Sequence, residues 1–179
     1  MLISGKPHNV SGTCVACLME GSRPILAEVQ SLVTPSGFGN PRRMATGIDY
    51  SRMAMLIAVL EKRCGYFLGN MDCYTNVIGG LRIDETAADL SIALAIVSSL
   101  KDVVVPEKAL AFGEIGLAGE IRSVNNCEQR IKEAAKLGFE KCVIPYHILQ
   151  RRQDSDHSRP HRIAGGLIQI FLHKRAGCG

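Results

Sequence analysis

The chain has 179 residues, 46% hydrophobic and 21% charged, a balance that belongs to one folded domain with its own core and excludes a disordered chain. No apolar run approaches the roughly 18–20 residues needed to cross a bilayer, and no apolar stretch follows the N-terminal Lys6, so the expectation is a soluble intracellular domain without a span or signal peptide. The net charge of +4 sits in residues 151–179, which hold six basic and two acidic side chains, while residues 1–150 balance at 15 of each; contact with a polyanion has to come from local clusters, not from global charge.

In chain order, Val10–Met19 and Arg23–Val33 read as two strands of a hairpin joined at Glu20-Gly21-Ser22. Cys14 and Cys17 form a CxxC inside the first strand, where alternation puts them on opposite faces, and no second pair follows at zinc-ribbon spacing. The seven cysteines are read as thiols, these two as small core residues, and no metal site is expected. Residues 34–41, with two Pro and two Gly, form a loop that delivers Arg42-Arg43.

Asp49 is placed to cap a helix over about 50–63 that Gly65 closes. Met53, Leu56, Ile57 and Leu60 make its core stripe, with Arg52, Lys62 and Arg63 on the solvated side. Asn76–Ile83 reads as a strand kinked at Gly79-Gly80, and Asp84 or Glu85 as the start of a helix to about residue 100 that is apolar nearly all round and therefore central. After a connection at Val103–Pro106, Ala109–Ile115 and Glu120–Val124 read as strands about a turn at Gly116–Gly119. Asn125 or Asn126 caps a helix to about Leu137, with Ile131, Ala134 and Ala135 inward, and Cys142–Ile144 is a short buried strand. Strands and helices mix without strict alternation, so the class is α/β of the α+β kind, with hairpins on one mixed sheet packed by helices. Residues 148–179 form a separate basic tail without periodicity, in which Pro160 argues against a helix carrying His157 and His161 as metal ligands.

Three stretches carry a resemblance. Pro41-Arg42-Arg43-Met44-Ala45-Thr46-Gly47, Gly79-Gly80-Leu81-Arg82-Ile83-Asp84-Glu85-Thr86-Ala87-Ala88-Asp89-Leu90 and Gly113-Glu114-Ile115-Gly116-Leu117-Ala118-Gly119-Glu120-Ile121-Arg122 resemble, in order and spacing, the C-terminal domain of the RadA/Sms DNA-repair family. That domain is similar to the Lon proteolytic domain, of the ribosomal-S5 domain 2-like fold. The resemblance covers about residues 10–147 and implies one Lon-like domain over 1–147. The tail after His147 does not match.

Lon-type peptidases use a Ser nucleophile and an activating Lys. Against their Asp-Gly-Pro-Ser-Ala-Gly motif this chain reads Asp84-Glu85-Thr86-Ala87-Ala88-Asp89, which puts Ala87 at the nucleophile. An ungapped count from Gly113-Glu114 puts Glu128 at the base position, and Asp89 adds an acid beside the former site. A methyl cannot attack and a carboxylate is no amine base, so the resemblance implies a peptidase-like domain that is not an enzyme. A displaced pair, Ser91 with Lys132, is weighed against a Ser91 hydroxyl bonded back to its own helix, which is preferred.

No GxxxxGK[ST] loop is present. The resemblance places ATP with magnesium, and zinc, only in upstream domains of a longer DNA-dependent ATPase, and none in this chain. It implies a homohexameric ring that scaffolds those ATPase domains and touches single-stranded or branched DNA in branch migration, with a RecA-type recombinase as partner and no membrane. The setting implied is bacterial cytoplasm, or a mitochondrion or plastid. Candidate DNA-contacting residues are Arg23, Arg42, Arg43, Arg52, Arg82 and Arg122, whose guanidiniums suit phosphate oxygens. The alternatives are a purely structural ring module, an active Ser-Lys peptidase, opposed by Ala87 and Glu128, and a small-molecule kinase of related fold, which lacks a phosphate loop.

Overall fold

The computed structural model describes residues 9–37 and 39–145. Two long strands, β1 (Thr13–Glu20) and β2 (Arg23–Pro35), form the expected hairpin, closed by Gly21 (φ 60°) and Ser22 with Glu20 opposite Arg23. The left-handed turn residue suits the twist of the paired strands, which is why glycine stands there. The chain continues through β3 (Arg43–Thr46), α1 (Tyr50–Cys64), β4 (Met71–Val77), α2 (Asp89–Lys101), β5 (Ala109–Ala111), β6 (Glu114–Ile115), β7 (Ile121–Arg122), α3 (Cys127–Lys136) and β8 (Lys141–Val143). Six strands form one mixed sheet in the order β3-β4-β2-β1-β5-β8. The β1–β2 and β2–β4 pairings are antiparallel, and β3–β4, β1–β5 and β5–β8 are parallel.

Being central, β1 is buried on both faces. Cys14, Ala16 and Leu18 join the main core under α1 and α2, whereas Val15 and Cys17 pack with Leu26, Leu110, Phe112 and Ala134 beneath α3. The two cysteines of the CxxC therefore lie on opposite faces, as alternation requires. Helix α1 begins and ends where expected: the Asp49 carboxylate accepts the Arg52 N–H, and Gly65 (φ 74°) closes the last turn. Its stripe Met53, Leu56, Ile57 and Leu60 is buried. Helix α2 is buried from Asp89 to Ser98, as its all-round apolar pattern implies.

Four expectations need correction and one needs refinement. The strand read as Asn76–Ile83 runs Met71–Val77, because β2 on one side and β3 on the other fix its extent; the glycines at 79 and 80, both left-handed, turn the chain out of the sheet and do not kink a strand. Glu85 stands at the N-cap of the helical segment, within the expected start, but that segment opens with a 3-10 turn at Thr86–Ala88 before α2. The run Ala109–Ile115 is two strands, since the Gly113 backbone leaves the large sheet to bond Ala87 O (2.8 Å) and Leu90 N (3.1 Å). Its second part pairs with β7 in a separate two-stranded sheet, so the hairpins do not share one sheet. In α3, Asn126 (φ 60°) makes no side-chain cap and Ala135 is exposed, because the inward stripe is Cys127, Arg130, Ile131 and Ala134. The tail, with His157 and His161, lies outside the described residues.

Candidate functional site

The turn at Thr86–Ala88 carries Ala87, the residue that the resemblance sets against a Lon-type nucleophile, and its methyl is buried. Two ion pairs flank it. On one side Arg52 of α1 donates to Asp89, the first residue of α2: Nε reaches Oδ1 at 2.7 Å and Nη2 reaches Oδ2. Asp89 is 1% exposed, and its Oδ2 also accepts the Ile115 N–H of β6 at 3.0 Å. Burial pushes the Asp89 carboxyl up, and the Arg52 hydrogen bond and the Ile115 N–H pull it part of the way back. The same bond raises Arg52 above the usual guanidinium range.

On the other side Glu85 accepts the Met19 N–H at 2.7 Å and both terminal nitrogens of Arg130, at 3.1 and 2.7 Å. Arg130 is 1% exposed and also donates to the carbonyls of Cys17 and Asn125, with its guanidinium 5.8 Å from the Phe112 ring centre. The sequence reading missed this residue. Its signal was a cation on the inward stripe of α3, four residues before Ala134.

These contacts take up the carboxylates on either side of the turn. Glu128, at the expected base position, is exposed on the first turn of α3, and the α3 side chain that reaches the turn is Arg130, two residues later. Ser91 is fully buried and its hydroxyl donates to Ala88 O at 2.7 Å, the back-bonded arrangement that was preferred over a displaced dyad. A recess of about 200 Å³ beside the turn is lined by Arg52, Thr86 and the acids Asp49, Asp84, Glu85 and Asp89. Of these acids, Asp49 caps α1, Asp84 pairs with Arg82 and the other two hold the flanking arginines.

The six candidate arginines are not brought together as one patch. Two correct the expectation of free cations: Arg52 is bound to Asp89, and Arg43 donates to the carbonyls of Leu68 (2.7 Å) and Met71, because β3 is an edge strand pinned to the loop before β4. Arg82 pairs with Asp84 at 2.9 Å, with both side chains mostly exposed. Arg23 at the start of β2, Arg42 before β3, and Arg122 on β7 are exposed. Arg42 uses its backbone N–H on Asp72 Oδ1 at 2.7 Å, and that bond holds the Asp72 carboxyl below the ordinary range. Cys17 is pushed up to about 12 by burial, which makes it an inert thiol.

A family model described as subunit ChlI of Mg-chelatase matches residues 54–148, more than half of the chain. The chain belongs to this family. In this ChlI-family domain the matched segment runs from the first turns of α1 past β8, so it takes in the Ala87 turn, Asp89 and Arg130. Relatives named DNA repair protein RadA are similar over most of the chain. They include one from Bacillus subtilis (strain 168), 53% identical over 135 residues, which are 75% of this chain and 30% of the relative. Others come from Streptococcus pyogenes serotype M1, 56% over 140 residues (78% and 31%), and Halalkalibacterium halodurans, 50% over 145 residues (81% and 32%). The chain spans about a third of the length of these curated relatives. The three motifs that carried the RadA/Sms resemblance all fall within the residues described. Among those residues no helix is long and apolar enough to cross a membrane.

Proposed function

We propose that this chain is the non-hydrolytic Lon-like module of a RadA-type DNA repair and recombination protein, serving as a ring scaffold and as a DNA-contacting surface. The identity of at least 50% to relatives named DNA repair protein RadA carries the reading. Support from the site is chemical: Ala87 offers no nucleophile, and the carboxylates and donors around it are occupied by Arg52, Arg130 and backbone groups. A fold that has lost a hydrolytic centre, yet spends two ion pairs on the same turn, is suited to binding. The longer protein is read as a DNA-dependent ATPase of homohexameric form that drives branch migration beside a RecA-type recombinase in bacterial cytoplasm. ATP with magnesium, and zinc, belong to its other domains.

In this reading the DNA contact falls to Arg23, Arg42, Arg82 and Arg122, the candidates that keep an exposed guanidinium. Labelled single-stranded DNA titrated with the chain at several salt concentrations tests it. Binding should weaken steeply with salt, and each arginine replaced by alanine at a phosphate contact should lower the log–log slope by about 0.7. Absence of binding at low salt, with the chain folded, leaves the structural ring module as the surviving alternative.

A further inference from the structure

Helix α3 covers β1, β5 and β8 and the first part of β2 on its sheet face, through Val15, Cys17, Leu26, Leu110 and Phe112. Among the described residues no element covers the rest of that face, from Gln30 of β2 across β4 to β3, and its side chains fall into three cross-strand rows. Gln30, Asn76 and Thr46 stand opposite one another and make a neutral polar row. Leu32, Tyr74 and Met44 make an apolar row beside it. Thr34 and Asp72 continue into Arg42, the residue before β3, and make a charged row. Successive rows lie two residues apart on each strand, about 6.6 Å.

Exposed apolar side chains need an explanation where they cluster. Leu32 is 60% exposed and Met44 57%, on either side of the Tyr74 ring, and the three border a recess of about 350 Å³. Among the described residues none that lines it carries a formal charge. Its polar groups are preset: the Tyr74 hydroxyl donates to Asp72 Oδ2 at 3.4 Å, and Gln30 Nε2 donates to Glu28 Oε1 at 2.7 Å, which leaves the Gln30 amide oxygen as an acceptor.

We infer that this part of the sheet binds single-stranded nucleic acid: an unstacked base lies on the Leu32–Tyr74–Met44 row, its edge meets Gln30, Asn76 and Thr46, and its phosphate meets Arg42. The inference rests on the DNA-contacting reading above and gives that contact a place. A nucleotide presents an anion, then an apolar ring face, then a hydrogen-bonding edge, which is the order of the three rows. Sheet faces with an aromatic flanked by polar side chains take bases in this way, because every base has a stacking face and an unstacked base also exposes its edge. A second copy of the chain is the poorer occupant. Three strands by three rows offer about 300 Å², well below the roughly 800 Å² per partner of a stable interface, and two of the rows are polar or charged.

The test is an anisotropy titration of a labelled oligo(dT) with the full chain at low salt, run beside sedimentation and thermal melts. Leu32→Glu and Met44→Glu alter exposed positions, so they keep the fold and should each weaken binding about tenfold or more. Tyr74→Ala should do the same by loss of stacking, while Tyr74→Phe stays within about twofold because the ring face remains. Wild-type binding that both glutamate variants leave unchanged overturns this site but leaves the DNA-contacting reading standing. Self-association that these variants abolish, without effect on DNA, overturns it in favour of a contact between copies. No binding by the wild type overturns both.

Discussion

Arg52 holds both carboxylate oxygens of Asp89, and Asp89 in turn takes the backbone N–H of Ile115. Three separate elements, α1, α2 and β6, are thereby tied beside the Thr86–Ala88 turn. The arrangement makes this corner a joint. Arg130 and Glu85 close the other side, linking α3 to the same turn and to the Met19 N–H near the end of β1.

Breaking the first pair from the arginine side should be costly. Arg52→Ala leaves a buried carboxylate with the Ile115 N–H alone and should destabilise by about 3 kcal/mol in urea unfolding. Asp89→Ala should cost less, because Arg52, 27% exposed, can turn to water. Replacing both by apolar residues of similar volume should recover part of the loss. A double variant no better than Arg52→Ala would contradict the account.

The same pair gives a pH dependence of definite sign. Burial holds the native Asp89 carboxyl above its ordinary value of 3.8, so the native state keeps a proton that the unfolded chain has released. Its contribution makes unfolding easier as pH rises from about 3.8 through the native value. Arg52→Ala removes the stronger of the two downward pulls and moves that upper limit higher. The stability gap between wild type and variant should therefore be small near pH 4 and wide near neutrality, measured by urea unfolding across that range.

Arg130 is a second structural cation. Glu85→Ala should leave its buried guanidinium with carbonyl partners only and cost about 3–5 kcal/mol, with faster amide exchange along residues 127–136. Arg130→Lys should not restore stability, since one ammonium cannot span both Glu85 oxygens and two carbonyls. Exchange in α3 unchanged by Glu85→Ala would show that the pair does not secure the helix.

Placing a hydroxyl at residue 87 should create no hydrolytic chemistry. Ala87→Ser, alone or with Glu128→Lys, should give neither peptide hydrolysis nor labelling by a fluorophosphonate. The Ile115 N–H and the Gly113 N–H, donors that could steady an oxyanion, already serve Asp89 and Ala87 O. Covalent labelling at residue 87 would refute the description of the turn as a closed joint.

Cys14 and Cys17 should resist alkylation in the native chain and react together on unfolding, as read by mass spectrometry. Both are fully buried, and burial lifts the Cys17 thiol to about 12, so the thiolate is scarce at neutral pH. Native-state labelling of Cys17 would contradict its placement beneath α3.

Much of this fold was legible in local chemistry. The Asp49 cap, the Gly65 stop and the Met53–Leu60 stripe of α1 depend on residues within a few positions of one another. So does the Gly21-Ser22 turn. The split at Gly113 was not legible, because it is set by hydrogen bonds to Ala87 and Leu90, more than twenty residues earlier. The start of β4 was hidden for a similar reason, since pairing with two strands fixes it. At the site, the methyl side chain at residue 87 was readable from one letter, whereas its burial was not. The fate of the arginines was not either: Arg43 and Arg52 look like surface cations, and Arg130 like a cation misplaced on an inward stripe, until their acceptors arrive from distant elements.

The most direct measurement is amide hydrogen exchange of the chain with and without a saturating oligo(dT). The account predicts added protection in residues 30–34, 42–46 and 72–76, with residues 84–92 unchanged. Protection centred on 84–92, or none anywhere under conditions where the oligonucleotide is bound, would contradict it.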